Sequence, residues 1–152
     1  MKIFILLLLA PSLLLFSCKK EESGTPNPPI SEIPFIELKS VSPQLIHQLD
    51  DSLVFTIRYT DGNGDLGDYS ADTLSLLITD NRFPLTEKFH IPPLAPQGTS
   101  ITITGDLLVT LDHIILADHL SAEERATFTI QLKDRAGNWS NEVTSDEITV
   151  LP

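Results

Sequence analysis

Asp61, Asn63 and Asp65 alternate with Gly62 and Gly64, and Gly67 and Asp68 follow closely. Three oxygen-bearing side chains at every second position of a glycine-flexed loop can turn toward one point. That suits a hard cation such as Ca2+, which takes six to eight oxygens at about 2.3–2.6 Å. Counting from Asp61, Asp72 falls at the twelfth position, where an EF-hand loop carries its bidentate acid. The sixth position is Leu66, where that loop needs Gly, and no helix is expected on either side, so an EF-hand is not predicted. Asp72 can equally begin the next strand. The competing reading of the loop is a cluster of Asx turns, in which short side chains cap their own backbone without a metal.

Other chemistry is scarce. His47, His90, His113 and His119 are scattered, and no H-E-x-x-H pair, G-x-S-x-G elbow, P-loop or dinucleotide-binding glycine pattern occurs. The single Cys excludes an internal disulfide and a thiolate zinc site. Paired carboxylates for glycoside hydrolysis can be found in any acidic chain, and here they gather in one turn-like loop. No enzyme is therefore expected unless two carboxyls face across a groove. Trp139, the sole Trp, reads first as a core plug at a strand start and second as an exposed ring for stacking sugars. Tyr69 and Phe83, in expected loops, are the other rings that could line a glycan platform.

The chain has 152 residues, with 21 Asp and Glu against 10 Lys and Arg, a formal charge of −11. That length suits one domain, and the acidic balance excludes nucleic acid, whose binding needs a basic face. Beyond Pro34 apolar residues recur at every second position between turn residues. Leu53, Phe55, Ile57 and Tyr59 alternate with Val54, Thr56 and Arg58, and Phe128, Ile130 and Leu132 alternate with Thr129, Gln131 and Lys133. Period two means strands with one face for a core and one for water. Further strands are expected at 36–41, 74–79, 87–91, 100–104, 107–111 and 143–150, about seven or eight in all. Ser121-Ala122-Glu123-Glu124 fits a helix capping box and predicts at most one helical turn. Pro92, Pro93 and Pro96 make 92–98 a loop or sheet edge. Strands without alternating helices predict an all-β, immunoglobulin-like antiparallel sandwich over residues 33–152. In such a sandwich the loop after the second strand and the loop before the last lie at one end. Asp134 is thereby expected to face Asp61, Asn63, Asp65 and Asp68 as a further cation ligand from across the sandwich.

Met1 and Lys2 precede an apolar run from Ile3 to Phe16, too short to span a bilayer at the roughly 20 residues a helix needs. Residues 1–17 read as a signal peptide. The lone Cys follows in Leu15-Phe16-Ser17-Cys18, which resembles the lipobox of bacterial lipoproteins, where a signal peptidase cuts before a lipid-modified Cys. Phe16 departs from the usual smaller residue. The resemblance implies acylation at Cys18, palmitate among the chains, and two or three acyl chains hold a protein at a membrane without a spanning helix. Lys19-Lys20-Glu21-Glu22 is similar to the charged cluster after the lipidated Cys of surface-exported Bacteroidetes lipoproteins; the plainer reading is a solvated charge run. Residues 18–32 are otherwise rich in Ser, Gly, Thr, Asn and Pro and read as a flexible tether. At ~3.1 Å per residue in polyproline conformation, 19–30 reach roughly 35–40 Å.

The segments Tyr59-Thr60-Asp61-Gly62-Asn63-Gly64-Asp65-Leu66-Gly67 and Asp134-Arg135-Ala136-Gly137-Asn138-Trp139-Ser140 resemble those of small Bacteroidetes lipoproteins with an immunoglobulin-like domain. In these a strand runs into a "YxDGDGDLG"-type loop and a late strand ends in "DxAGNxS". Asn63 stands where the pattern usually has Asp. The resemblance implies a sandwich fold and an outer-membrane, cell-surface address, with little chemistry. Asp51-Ser52-Leu53 and Asp72-Thr73-Leu74 similarly resemble O-glycosylation sites of such exported proteins, against the reading of a turn entering a strand. The expected function is a non-catalytic, lipid-anchored envelope module that presents loops to a protein partner and is stabilised by Ca2+. The alternative is a glycan-binding accessory lipoprotein of a polysaccharide-uptake system, favoured if Tyr69, Phe83 and Trp139 form an exposed row.

Overall fold

Alternation of buried and part-exposed side chains builds the molecule. In the computed structural model, which describes residues 30–83 and 85–152, the strands are β1 (Phe35–Ser42), β2 (Leu45–His47), β3 (Leu53–Asp61), β4 (Leu76–Asp80), β5 (Leu85–Phe89), β6 (Ile103–Leu111), β7 (Glu124–Ala126), β8 (Phe128–Leu132), β9 (Val143–Thr144) and β10 (Ile148–Leu151). The expected leader, Cys18 and most of the tether lie outside the described residues. No helix occurs among those described.

One sheet has the order β1-β3-β6, antiparallel throughout. The other is laid out as β5-β4-β8-β9, continued by β7-β10-β2. β8 pairs with β9 and β7 with β10, but Thr129 faces Thr144 whereas Ala126 faces Ile148, so the later path carries one extra residue. This is a bulge. Ser145 fills it, its N–H donating to the Phe128 carbonyl at 2.9 Å and its Oγ accepting the Phe128 N–H at 3.0 Å. Taking β1 with β2, β7 with β8 and β9 with β10, the ten segments are seven strand paths in an immunoglobulin-like sandwich. The first path crosses between sheets, from β1 to β2, and β2 lies parallel to β10.

The inner faces meet in one core. Phe55, Ile57, Val109 and Ile36 come from the first sheet, and Leu76, Ile78, Phe128, Ile130, Leu132, Ile148, Val150 and Ile46 from the second. Phe55 and Phe128 cross the gap edge to face, centroids 5.5 Å apart at 77°, the geometry that ring quadrupoles favour.

Three local features go beyond the sequence pattern. The separate strands at 100–104 and 107–111 are one strand, β6. Gly105 is no turn residue; a Cβ there would lie 2.6 Å from the Tyr59 hydroxyl, so close packing demands Gly. The capping box at Ser121 starts no helix. Glu124 instead reaches back so that its carboxylate accepts the N–H groups of Ala117 and Asp118 at 2.8 and 2.6 Å, and it pairs with Arg82 at 2.7 Å. The short β2 has no alternation long enough to be read beforehand, and its pairing with β10 creates it.

Candidate functional site

Period two explains why acids sit at the ends of this core. Leu53, Phe55, Ile57 and Tyr59 point inward along β3, and the next inward position is Asp61. Phe128, Ile130 and Leu132 point inward along β8, and two residues on is Asp134; on β4 the inward series Leu76, Ile78 ends at Asp80. All three carboxylates are buried.

Asp61 and Asp134 close the same end, joined by an isolated bridge between Leu66 and Asp134. Asp61 has no exposed surface; its Oδ2 accepts the Leu66 N–H at 3.2 Å, and its Oδ1 is buried with no partner. Asp65 lies beside it. Its carbonyl accepts the Arg135 N–H at 3.2 Å, its Oδ2 accepts the Ala136 N–H at 3.2 Å, and its Oδ1 is likewise buried without a partner. Burial raises the Asp61 carboxyl above its ordinary value, opposed by backbone N–H groups of the loop and reinforced by Asp134. Burial also raises Asp65, and the charges of Asp134 and Asp61 add to it. Asp134 is tied down more completely, Oδ1 accepting the Asn138 N–H at 2.7 Å and Oδ2 the Asn138 side-chain amide at 2.8 Å.

The other expected ligands point elsewhere. Asn63 Oδ1 accepts the Asp65 N–H at 3.3 Å, and Asp68 Oδ1 accepts the Ser70 N–H at 2.8 Å, both Asx-type turns. Asp72 is exposed, in the turn before β4. The structure therefore brings Asp61, Asp65 and Asp134 to one place, with Asn63 and Asp68 on its flanks. Among the described residues no three His, Cys, Asp or Glu side chains stand as a ready-made ligating group.

The loop glycines have a reason that composition could not show. Gly67 holds φ at +78°, and a Cβ on it would collide with the Pro92 carbonyl; Gly64 holds +73°, and a Cβ there would collide with the Ile101 carbonyl. The loop runs under neighbouring backbone, where only hydrogen fits. Gly67→Ala is expected to lower stability by about 2 kcal/mol or more, through left-handed strain and the forced shift of Pro92. Urea unfolding checks this, with Gly98→Ala as the control, since Gly98 has φ +75° but nothing within 4 Å of a Cβ.

Trp139 corrects one expectation. It is 40% exposed and pairs with Lys133 across the 134–138 turn, the Lys133 ammonium 5.1 Å from its ring. The core plug is Leu66, buried completely. Tyr69, 54% exposed, lies at the same end under the Arg135 guanidinium at 5.4 Å. Phe83 does not join them. It follows Asp80, and Asp80 pairs with Phe128 while Leu76 pairs with Leu132, so the length of β4 separates Phe83 from the 133–139 end.

At the Phe83 end, Arg82 is the residue that composition concealed. Its guanidinium bonds Asp80 at 2.6 Å, Glu124 at 2.7 Å and the Ile115 carbonyl at 2.8 Å, with side-chain exposure of only 9%. A crevice beside it is lined by Ile78, Phe83, Leu85, Leu111 and Ile114 together with Asp80, Glu87 and Asp112. Asp80 is held by Arg82, and Asp112 accepts the Ser52 hydroxyl at 2.5 Å.

Fold and site together define an immunoglobulin-like β-sandwich whose core is closed at both ends by buried acids. No protein-family model, no curated protein and no solved structure matches the chain.

Proposed function

We propose that the chain is a non-catalytic module of a bacterial outer membrane, held at the cell surface by lipid on Cys18 and offering its loops to an envelope protein. The observation that carries the non-catalytic reading is the placement of its buried acids. Asp61, Asp80 and Asp134 close the ends of the core and hold loops to one another, where a hydrolase needs two carboxyls across a substrate groove. The anchor rests on Leu15-Phe16-Ser17-Cys18 after an apolar run too short to span a bilayer. Among the described residues no helix is long and apolar enough to cross a membrane.

In cells fed labelled palmitate, the chain is expected to carry label and to partition into detergent, and Cys18→Ala to abolish both. Wild-type protein that stays unlabelled in the aqueous phase would remove the anchor and the proposed address. A second reading, glycan binding, is favoured by Tyr69 and Trp139 exposed at one end, with Phe83 excluded from their platform. Soluble polysaccharide that quenches Trp139 fluorescence would support it, and an unchanged spectrum supports the interaction module.

A further inference from the structure

The two outer strands of the first sheet are guarded differently. At β1 the Asn141 side chain takes the place of a partner strand, its Oδ1 accepting the Ile36 N–H at 2.8 Å and its Nδ2 donating to the Ile36 carbonyl at 2.9 Å. β1 also shifts register between Leu38 and Ser40, which leaves Lys39 as a bulge on that edge. Bulges, lysines and covering groups are the devices that stop an edge strand from pairing with another chain. β6 has none of them. Its nine residues keep unbroken register with β3 and include no Pro or Lys, and among the described residues its other side forms no backbone bond. Its one charged side chain, Asp106, is paired with Arg58 at 2.8 Å, and its Leu108 is 73% exposed. The outer strand of the second sheet on this side, β5, has only five residues and exposes Glu87 and Lys88.

The crevice beside Arg82 runs between these two edges, walled by Phe83 and Leu85 on one side and by Leu111 and Ile114 on the other, and it continues past Phe89 and Thr110. Glu87 and Asp112 stand on it, and among the described residues no basic side chain bonds either. We propose that an extended, basic segment of the partner envelope protein docks on β6 as an added strand, its apolar side chains over the crevice and a Lys or Arg at Glu87 and Asp112. Main-chain bonds to a free edge supply affinity, and the alternating side chains supply selection. The acidic crevice and the formal charge of −11 favour a cationic strand and oppose a second copy of this chain. The proposal rests on the interaction-module reading and needs no part of the lipid anchor.

The test uses the purified full chain and a short synthetic peptide that alternates Val and Lys. Hydrogen exchange of the 103–111 amides is expected to slow by about tenfold in saturating peptide, while that of the 35–42 amides stays unchanged. Affinity should fall by about tenfold or more when salt is raised from roughly 0.05 to 0.5 M. The peptide with Glu in place of Lys, and the Lys peptide with its backbone nitrogens methylated, should each leave exchange unaltered. Glu87→Gln combined with Asp112→Asn is expected to weaken binding by about fivefold or more, whereas Glu142→Gln, an exposed acid beyond β8, should not. No protection of 103–111 by the Lys peptide overturns the proposal, and so does equal protection by the Glu or the methylated peptide. A wild-type chain that dimerises through β6, its 103–111 amides already slowed without peptide, would assign the edge to a second copy and overturn it as well. No lipid enters this measurement, so its failure leaves the anchor standing, and the palmitate experiment decides that separately.

Discussion

Replacing Arg82 with Met is expected to lower stability by about 3–5 kcal/mol, because it leaves Asp80 buried and charged with no counter-ion. Among the described residues Arg82 is the only base bonded to Asp80, and it also secures Glu124 and the Ile115 carbonyl. One side chain thus joins the β4–β5 turn to the 112–123 loop and the start of β7. Burial alone would lower the Arg82 pKa, but the hydrogen bonds and charges of Asp80 and Glu124 outweigh it and raise it. For a domain of this size the loss corresponds to a fall in melting temperature on the order of 10–20 °C. Arg82→Lys should recover only part of it, since an ammonium cannot fork onto two oxygens. Guanidinium unfolding of the three proteins measures the effect; a Met variant within about 1 kcal/mol of wild type would show the network to be dispensable.

The same network carries a pH signature. Glu124 is lowered below the ordinary carboxylate range, first by the Asp118 and Ala117 N–H groups and then by Arg82. A folded-state pKa below the unfolded one stabilises the protein above the unfolded value, about 4.3–4.5, and that contribution is lost as pH falls through the folded value. Wild type should therefore exceed Glu124→Gln at neutral pH, with the gap closing as the pH falls below the unfolded-state value and through the lowered folded one. A gap independent of pH would assign the effect to shape alone.

Truncating Phe55 to Ala is the second large expected loss, about 3–5 kcal/mol. Phe55 sits in the central strand of the first sheet, fully buried, and its edge-to-face contact with Phe128 links the two layers directly. Phe55→Leu should cost less, since it keeps most of the volume. A double-mutant cycle of Phe55→Leu and Phe128→Leu should show coupling of about 0.5–1.5 kcal/mol, the part owed to ring geometry. Additive losses would mean that the rings act only as bulk.

The fold is legible in the sequence where alternation runs long. β3 and β8 each begin on the expected residues within a position or two, because a sustained apolar face leaves a single register. Two features stay hidden. β2 has three residues and exists through its parallel partner, and β6 is interrupted in sequence by Gly105, a residue that serves packing under Tyr59 and not a turn. At the candidate site, the convergence of Asp61 and Asp134 is readable from topology, and the inward period on β3 and β8 carries the same message residue by residue. The departure of Asn63 and Asp68 from that convergence is not readable. Their side chains are drawn off by N–H groups two residues ahead, a local competition that spacing does not record. Arg82 escapes a sequence reading because Asp80-Asn81-Arg82 looks like any polar turn, and only the burial of Asp80 at the end of β4 gives it weight.

β1 starts beside the 61–68 loop, where the Ser31 carbonyl accepts the Gly62 N–H at 2.9 Å, and β10 runs out at the opposite end, where Leu151 lies alongside His47. Tension applied between residues 30 and 152 therefore pulls β1 along β3 and β10 along β2 lengthwise. Their ladders are strained in shear, many bonds sharing the force at once, instead of peeling apart one after another. The crossing of the first strand path from one sheet to the other makes this a mechanically resistant arrangement, and a single-molecule stretching trace should show one abrupt rupture.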